Sequence, residues 1–199
     1  YKNLKVSFNN VDLGKLVPKV DNLNLKGIVN GNLNIFQRKG LYYPSSNITI
    51  DAIDFNKTPL GNMVIDIKGN NELTRYDLIT TLTNNNIKSI NSTGYIDASS
   101  DKAKIDLDVA LNKFNLTTIS PFGGTVISDI RGFLSGNGKV SGELNSPNIF
   151  GDFKILDGGL NVPYLNIDYS LDPDTDLLVT REKLEIVNTF RYQLKEFLK

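Results

Sequence analysis

The chain has 199 residues with no His, no Cys and no Trp, and its 22 Lys and Arg balance 22 Asp and Glu to a formal net charge of zero. Without His or Cys there is no usual proton shuttle, no thiol nucleophile, no disulfide framework and no thiolate zinc site. The absence of a basic excess argues against a nucleic-acid groove, and no apolar run approaches the length of a bilayer span.

The chain starts at Tyr1-Lys-Asn-Leu4 as if inside a strand, with no initiator Met and no signal-peptide pattern, and so reads as a piece of a longer protein. Leu4, Val6 and Phe8 alternate with polar residues, as do Ile48 and Ile50, Ile65 and Ile67, and Tyr76, Leu78, Thr80 and Leu82. The cleanest alternation runs from Ala103 through Ile105, Leu107 and Val109 to Leu111. Successive strand side chains point to opposite faces, so each run carries one apolar and one polar face. Turn-forming breaks at Gly69-Asn-Asn71, Asn84-Asn-Asn86, Ser99-Ser-Asp101 and Asp157-Gly-Gly159 separate the runs. The reading is all-β, with on the order of a dozen strands of ordinary length.

From about Thr180 the pattern switches to a helical period. Leu184, Val187, Phe190, Leu194 and Phe197 fall on one stripe, with Arg181, Lys183, Glu185, Arg191 and Lys195 elsewhere. Thr180 suits an N-cap, which predicts an amphipathic helix over 177–199 packed on the sheet or against a partner.

The strand pattern also repeats. Val6, Phe8, Pro18, Gly27, Gly31, Ile35, Pro44 and Pro59 find counterparts in Val109, Leu111, Pro121, Gly132, Gly136, Val140, Pro147 and Pro163. The offset is about 104 residues, which predicts two tandem β repeats, 1–108 and 109–176, in one elongated sheet. Such units offer a long surface, so binding or conduction is expected rather than chemistry at one point.

No catalytic grouping emerges. Asp172-Pro-Asp174-Thr-Asp176 has the spacing that opens a calcium loop, but Leu177 stands where Gly is needed and Lys183 where a bidentate Glu is needed. The glycines Gly132, Gly136, Gly138 and Gly142 lack nucleotide-loop spacing and are followed by strand residues. Asp106 and Asp108 read as a solvated face beside Lys102 and Lys104, and the sequons at Asn47, Asn56, Asn91 and Asn115 reflect a chain rich in Asn. No enzyme activity, no cofactor and no metal site is expected.

The stretch Leu134-Ser-Gly136-Asn-Gly138-Lys-Val140-Ser-Gly142-Glu-Leu144-Asn-Ser-Pro147, continuing through Gly151, Phe153, Ile155, Gly158 and Gly159 to Pro163, resembles the TamB family of AsmA-like proteins. The match covers about forty residues, and Gly27, Gly31, Leu33, Ile35 and Pro44 give a looser version. The resemblance implies a periplasmic segment of a Gram-negative bacterial protein whose inner-membrane anchor lies outside this chain. It implies a sheet curled into a taco-like trough, a phospholipid cargo moving between the inner and outer membranes, and an Omp85-type outer-membrane barrel partner of the TamA kind. On that reading the groove is lined by Val6, Phe8, Leu33, Ile35, Ile48, Ile50, Ile65, Ile67, Leu78, Leu82, Ile105, Leu107, Val109, Val140, Phe153, Ile155, Leu165 and Ile167. The same alternation would line a sealed core, so the alternative is a structural or partner-binding β-solenoid or sandwich: an outer-membrane assembly scaffold or an adhesin-like module.

Overall fold

A computed structural model of the chain describes residues 2–17, 24–173, 175–180, 184–187 and 190–194. These residues form strands joined by tight turns and three short 3-10 turns. The chain divides into two compact units, one of Tyr1–Ala110 with Lys139–Ile149 and one of Leu111–Gly138 with Phe150–Lys199.

In the first unit, β1 (Lys2–Asp12), β2 (Leu25–Arg38), β3 (Leu41–Phe55), β4 (Thr58–Gly69), β5 (Arg75–Asn84) and β6 (Ile87–Asp97) pair antiparallel in chain order. The start of β7 (Lys104–Asn115) and the hairpin between β8 (Ser128–Glu143) and β9 (Ser146–Val162) belong to this unit too. Two-residue turns make the first hairpins. Lys39-Gly40, Asn56-Lys57 and Asn85-Asn86 all have φ between 47° and 80°, the left-handed pair that matches strand twist. The breaks expected at 69–71, 84–86 and 99–101 all fall at strand connections, that at 84–86 a two-residue turn and the other two the longer links 70–74 and 98–103.

In the second unit, the end of β7 leads through a 3-10 turn (Leu116–Gly123) into β8 and then β9. A second 3-10 turn (Pro163–Leu165) leads to β10 (Ile167–Leu171) and β11 (Thr175–Val179), which pair with β9 one after the other. The return strands are β12 (Leu184–Val187) on β11 and β13 (Phe190–Leu194) on β10.

That pairing corrects two expectations. Leu184, Val187, Phe190 and Leu194 stand in strands, not on a helix stripe, and Leu177 lies in β11; Phe197 falls outside the described residues. The reason is visible in retrospect, because Phe190, Tyr192 and Leu194 alternate with Arg191 and Gln193 as well as fitting a helical period. Pairing with β10 and β11 satisfies backbone groups that those strands would otherwise leave open on that edge. The Asp157-Gly-Gly159 break is also no turn. It lies inside β9, with Asp157 at φ 52°.

Each unit buries its own apolar cluster beside the same local device. In the first, Asn10 sits at φ 51° and donates its N–H to Asn30 Oδ1 at 2.8 Å, the sheet register shifts, and Asp12 Oδ1 caps a 3-10 turn through Gly14 N at 2.9 Å. In the second, Lys113 sits at φ 50° and donates to Ser135 Oγ at 2.9 Å, and Asn115 Oδ1 caps the next turn through Thr117 N at 2.9 Å. In the first unit a bulge bends the strand, and in both the capped turn drops one leucine inward. Leu13 joins Val29, Ile50, Ile53 and Leu82; Leu116 joins Leu134, Phe153, Ile155 and Leu177. Fully burying each such side chain stabilises by about 2 kcal/mol.

Candidate functional site

Strand register sorts the first unit into an apolar and a polar face, because paired residues share a face and neighbours along a strand do not. On the apolar face one row runs Val11, Val29, Ile50, Met63, Leu82 and Ile90. The next runs Phe8, Gly31, Ile48, Ile65, Thr80 and Ser92, and a third Val6, Leu33, Ser46, Ile67, Leu78 and Gly94. Beyond it lie Leu4, Ile35 and Pro44, then Tyr76 and Ile96.

Burial fades across these rows. In the first row Leu82 is 1% and Val29 3% exposed, packed under Leu13. In the third and fourth rows Leu33, Ile35, Ile67 and Leu78 are half-buried, Val6 is 39% exposed and Leu4 57%. Exposure is therefore highest at Val6 and Leu4 on β1, which ends the strand order, while Leu33, Ile35, Ile67 and Leu78 stay half-open and Pro44 and Ser46 in the same rows are buried. These rows hold two side-chain hydroxyls: that of Tyr76, which donates to the Leu73 carbonyl at 2.9 Å, and that of Ser46, which is buried without a hydrogen-bond partner among the described residues. No sequence signal marked it, since a serine in a strand reads as an ordinary outward residue.

The expected groove residues divide in the same manner. Ile50, Leu82, Phe153 and Ile155 are buried core. Phe8, Leu33, Ile35, Ile48, Ile65, Ile67, Leu78, Ile105, Leu107, Val109, Val140 and Ile167 are half-buried, whereas Val6 and Leu165 are exposed. Leu165 lies in the Pro163–Leu165 turn and not in a strand. Along β7, Ile105, Leu107 and Val109 alternate with Asp106 and Asp108, which face the Lys139 ammonium at 2.7 and 3.7 Å.

The second unit has its own apolar hollow of about 610 Å³. Phe153 and Leu177, directly opposed in register, form its wall with Ser135 and Gly136, and the Lys154–Asp176 ion pair at 3.3 Å stands at its rim. Gly136 has φ 146°, and a side chain there would strike the Asp152 carbonyl and Phe153. The glycine keeps the hollow's wall thin.

The polar face of the first unit carries cross-strand hydrogen bonds that make use of the chain's Asn content. Ser7 Oγ donates to Asn32 Oδ1 at 2.8 Å, Asn30 Nδ2 to Asp51 Oδ2 at 3.3 Å, Asn47 to Asp66, and Thr81 Oγ1 to Asn91 Oδ1 at 2.8 Å. Two sequon asparagines, Asn47 and Asn91, are thus ladder residues. Among the described residues no cluster of His, Cys, Asp or Glu has metal-holding geometry, and no helix is long and apolar enough to cross a membrane.

The family model described as TamB, N-terminal domain, matches residues 2–155, more than half of the chain. No curated protein and no solved structure gives a significant match.

Proposed function

The chain belongs to the TamB family, and on that premise we propose that it is a periplasmic segment of an envelope protein that carries phospholipid acyl chains along an apolar β face toward the outer membrane. The observation behind this reading is the apolar surface left half-open on interior strands of the first unit at Leu33, Ile35, Ile67 and Leu78, beside the sealed cluster around Leu82. A sealed sandwich buries such rows throughout. Here Leu33, Ile67 and Leu78 keep contactable apolar surface, enough to take methylenes at about 0.8 kcal/mol each. The absence of charged side chains from those rows suits a cargo that must slide. In the second unit the hollow beside Phe153 and Leu177 offers a further apolar surface, with the Lys154–Asp176 ion pair at its rim.

The proposal includes a taco-like trough built of tandem repeats, an inner-membrane anchor outside this chain, and a TamA-like outer-membrane partner. The role is binding and conduction, with no chemistry performed on the cargo. The test is photo-crosslinking in cells, with a light-activated side chain at Leu107 and a control at Asp108. Phospholipid adducts at Leu107 but not Asp108 are expected. Protein-only adducts at Leu107, from a folded and well-expressed chain, would sink the conduit reading in favour of a sealed scaffold.

A further inference from the structure

We propose that the polar face of the first unit is a glycan-binding surface, a role separate from the lipid reading of the opposite face. Three adjacent register rows meet there. One holds Asn32, Asn47 and Asp66; the next Asn34, Ser45 and Lys68; the third the pair Phe36 and Tyr43. Neighbouring residues within a row are about 4.8 Å apart, and rows follow at about 7 Å. The first two rows line a hollow of about 500 Å³, joined by the exposed Ile79, the register partner of Asp66.

The chemistry in the hollow is mixed by design of the hydrogen bonds already made. Ser7 occupies Asn32 Oδ1, which leaves the Asn32 amide NH2 to donate; Asn47 spends its NH2 on Asp66, which leaves its Oδ1 to accept. Among the described residues the side chains of Asn34, Ser45 and Lys68 make no hydrogen bond or ion pair. Donors and acceptors therefore interleave across the hollow. A sugar hydroxyl, which both donates and accepts, matches that pattern. An anion does not, because Asp66, two residues along the same strand face, and Asp77, the register partner of Lys68, set two carboxylates against its one positive charge.

The third row supplies the apolar part of a saccharide site. Phe36 and Tyr43 are 39% and 44% exposed, with ring centroids 6.2 Å apart at 41°. Exposed aromatic rings beside convergent polar groups suit a ligand with an apolar C–H face and a hydroxylated edge. The occupant is thus an oligosaccharide laid from the aromatic pair across the Asn rows.

The test is an amide NMR titration of the whole chain with the soluble tetramer of β-1,4-linked N-acetylglucosamine, with inorganic phosphate as the comparison. Saturable shifts at Tyr43, Ser45 and Asn47 are expected in the millimolar range, with apolar-face positions such as Ile65 unmoved. Asn34→Ala and Tyr43→Ala, each at a site outside the core, should keep the dispersed spectrum and weaken binding several-fold. Absence of saturable shifts, shifts unchanged by both variants, or the same shifts with phosphate would overturn the proposal.

Discussion

The guanidinium of Arg131 grips both carboxylate oxygens of Asp168, Nη1 to Oδ1 at 3.0 Å and Nη2 to Oδ2 at 2.9 Å, by passing over the backbone of Gly159. Arg131 lies in β8, Gly159 in β9 and Asp168 in β10, so one side chain laces three strands. It also donates to the Tyr169 carbonyl at 3.3 Å. The parallel fork is the geometry in which arginine outperforms lysine.

That lacing predicts non-additivity. A Cβ on Gly159 would lie 2.5 Å from Arg131 Cζ, so Gly159→Ala displaces the guanidinium just as Arg131→Ala removes it. Each change is expected to cost about 1–2 kcal/mol, because the pair is hydrogen-bonded yet part-exposed. The double variant should cost little more than the worse single one in urea unfolding; fully additive losses would mean that Gly159 matters for its own backbone.

Gly31 and Gly136 predict matched losses in the two units. They stand at φ 132° and 146°, and an added methyl at either meets a carbonyl oxygen of the facing strand, Asn47 or Asp152. Alanine at each should cost about 2 kcal/mol or more through clash and backbone strain. A thermal melt of the two single variants checks this, and a harmless Gly31→Ala would contradict the close approach.

Much of the architecture was legible because the strand signal is local. Alternation at Ile105, Leu107 and Val109, and the Asn pair at 85–86, announce strand and turn through their own side chains. What escaped depends on distant partners. The stretch from Leu184 to Leu194 fits both periods, and only β10 and β11 settle it as strand. Nothing in the sequence marks Lys113 for a φ of 50°; Ser135 from the next strand holds it there. On the face, alternation identifies which residues are apolar but not that Leu82 is sealed and Leu78 half-open, which follows from where Leu13 packs.

Two exposed charges titrate away from their ordinary values. The Ser99 hydroxyl and N–H donate to the Asp97 carboxylate, with Lys104 and Arg75 adding positive charge nearby, and hold its pKa down. Its contribution is present above the unfolded value of about 3.9 and fades as pH falls through the lower folded value. The hydrogen bond to Asp106 raises Lys139, so that contribution is present below about 10.4 and fades as pH climbs through the higher folded value. Both contributions are present near neutrality, so neither makes stability depend on pH there. Side-chain NMR titration should show Asp106→Asn bringing Lys139 back down and Ser99→Ala bringing Asp97 part of the way up.

The unpartnered Ser46 hydroxyl predicts a stabilising substitution. It is buried between Leu33 and Ile67 in its row, and its desolvation is uncompensated by any protein partner described. Ser46→Ala removes that group at little loss of volume, so a gain of about 1 kcal/mol is expected in urea unfolding. A loss of that size would mean that the hydroxyl is satisfied in solution, by water or by cargo.

Leu82 and Leu107 separate core from wall. Leu82 is 1% exposed at the centre of its cluster, and Leu82→Ala should cost about 3 kcal/mol by leaving a cavity. Leu82→Asp would bury an unpaired charge and abolish folding. Leu107 is half-buried, so a carboxylate there retains access to solvent. Leu107→Asp is therefore expected to fold, with a loss of about 1–2 kcal/mol, while placing a charge where acyl chains would pass. Dispersed amide spectra with lost lipid crosslinking and impaired complementation in cells would identify the open rows as the working surface. Unfolding of Leu107→Asp to the same degree as Leu82→Asp would show that the rows near β7 are core, and the conduit would have to lie elsewhere on the chain.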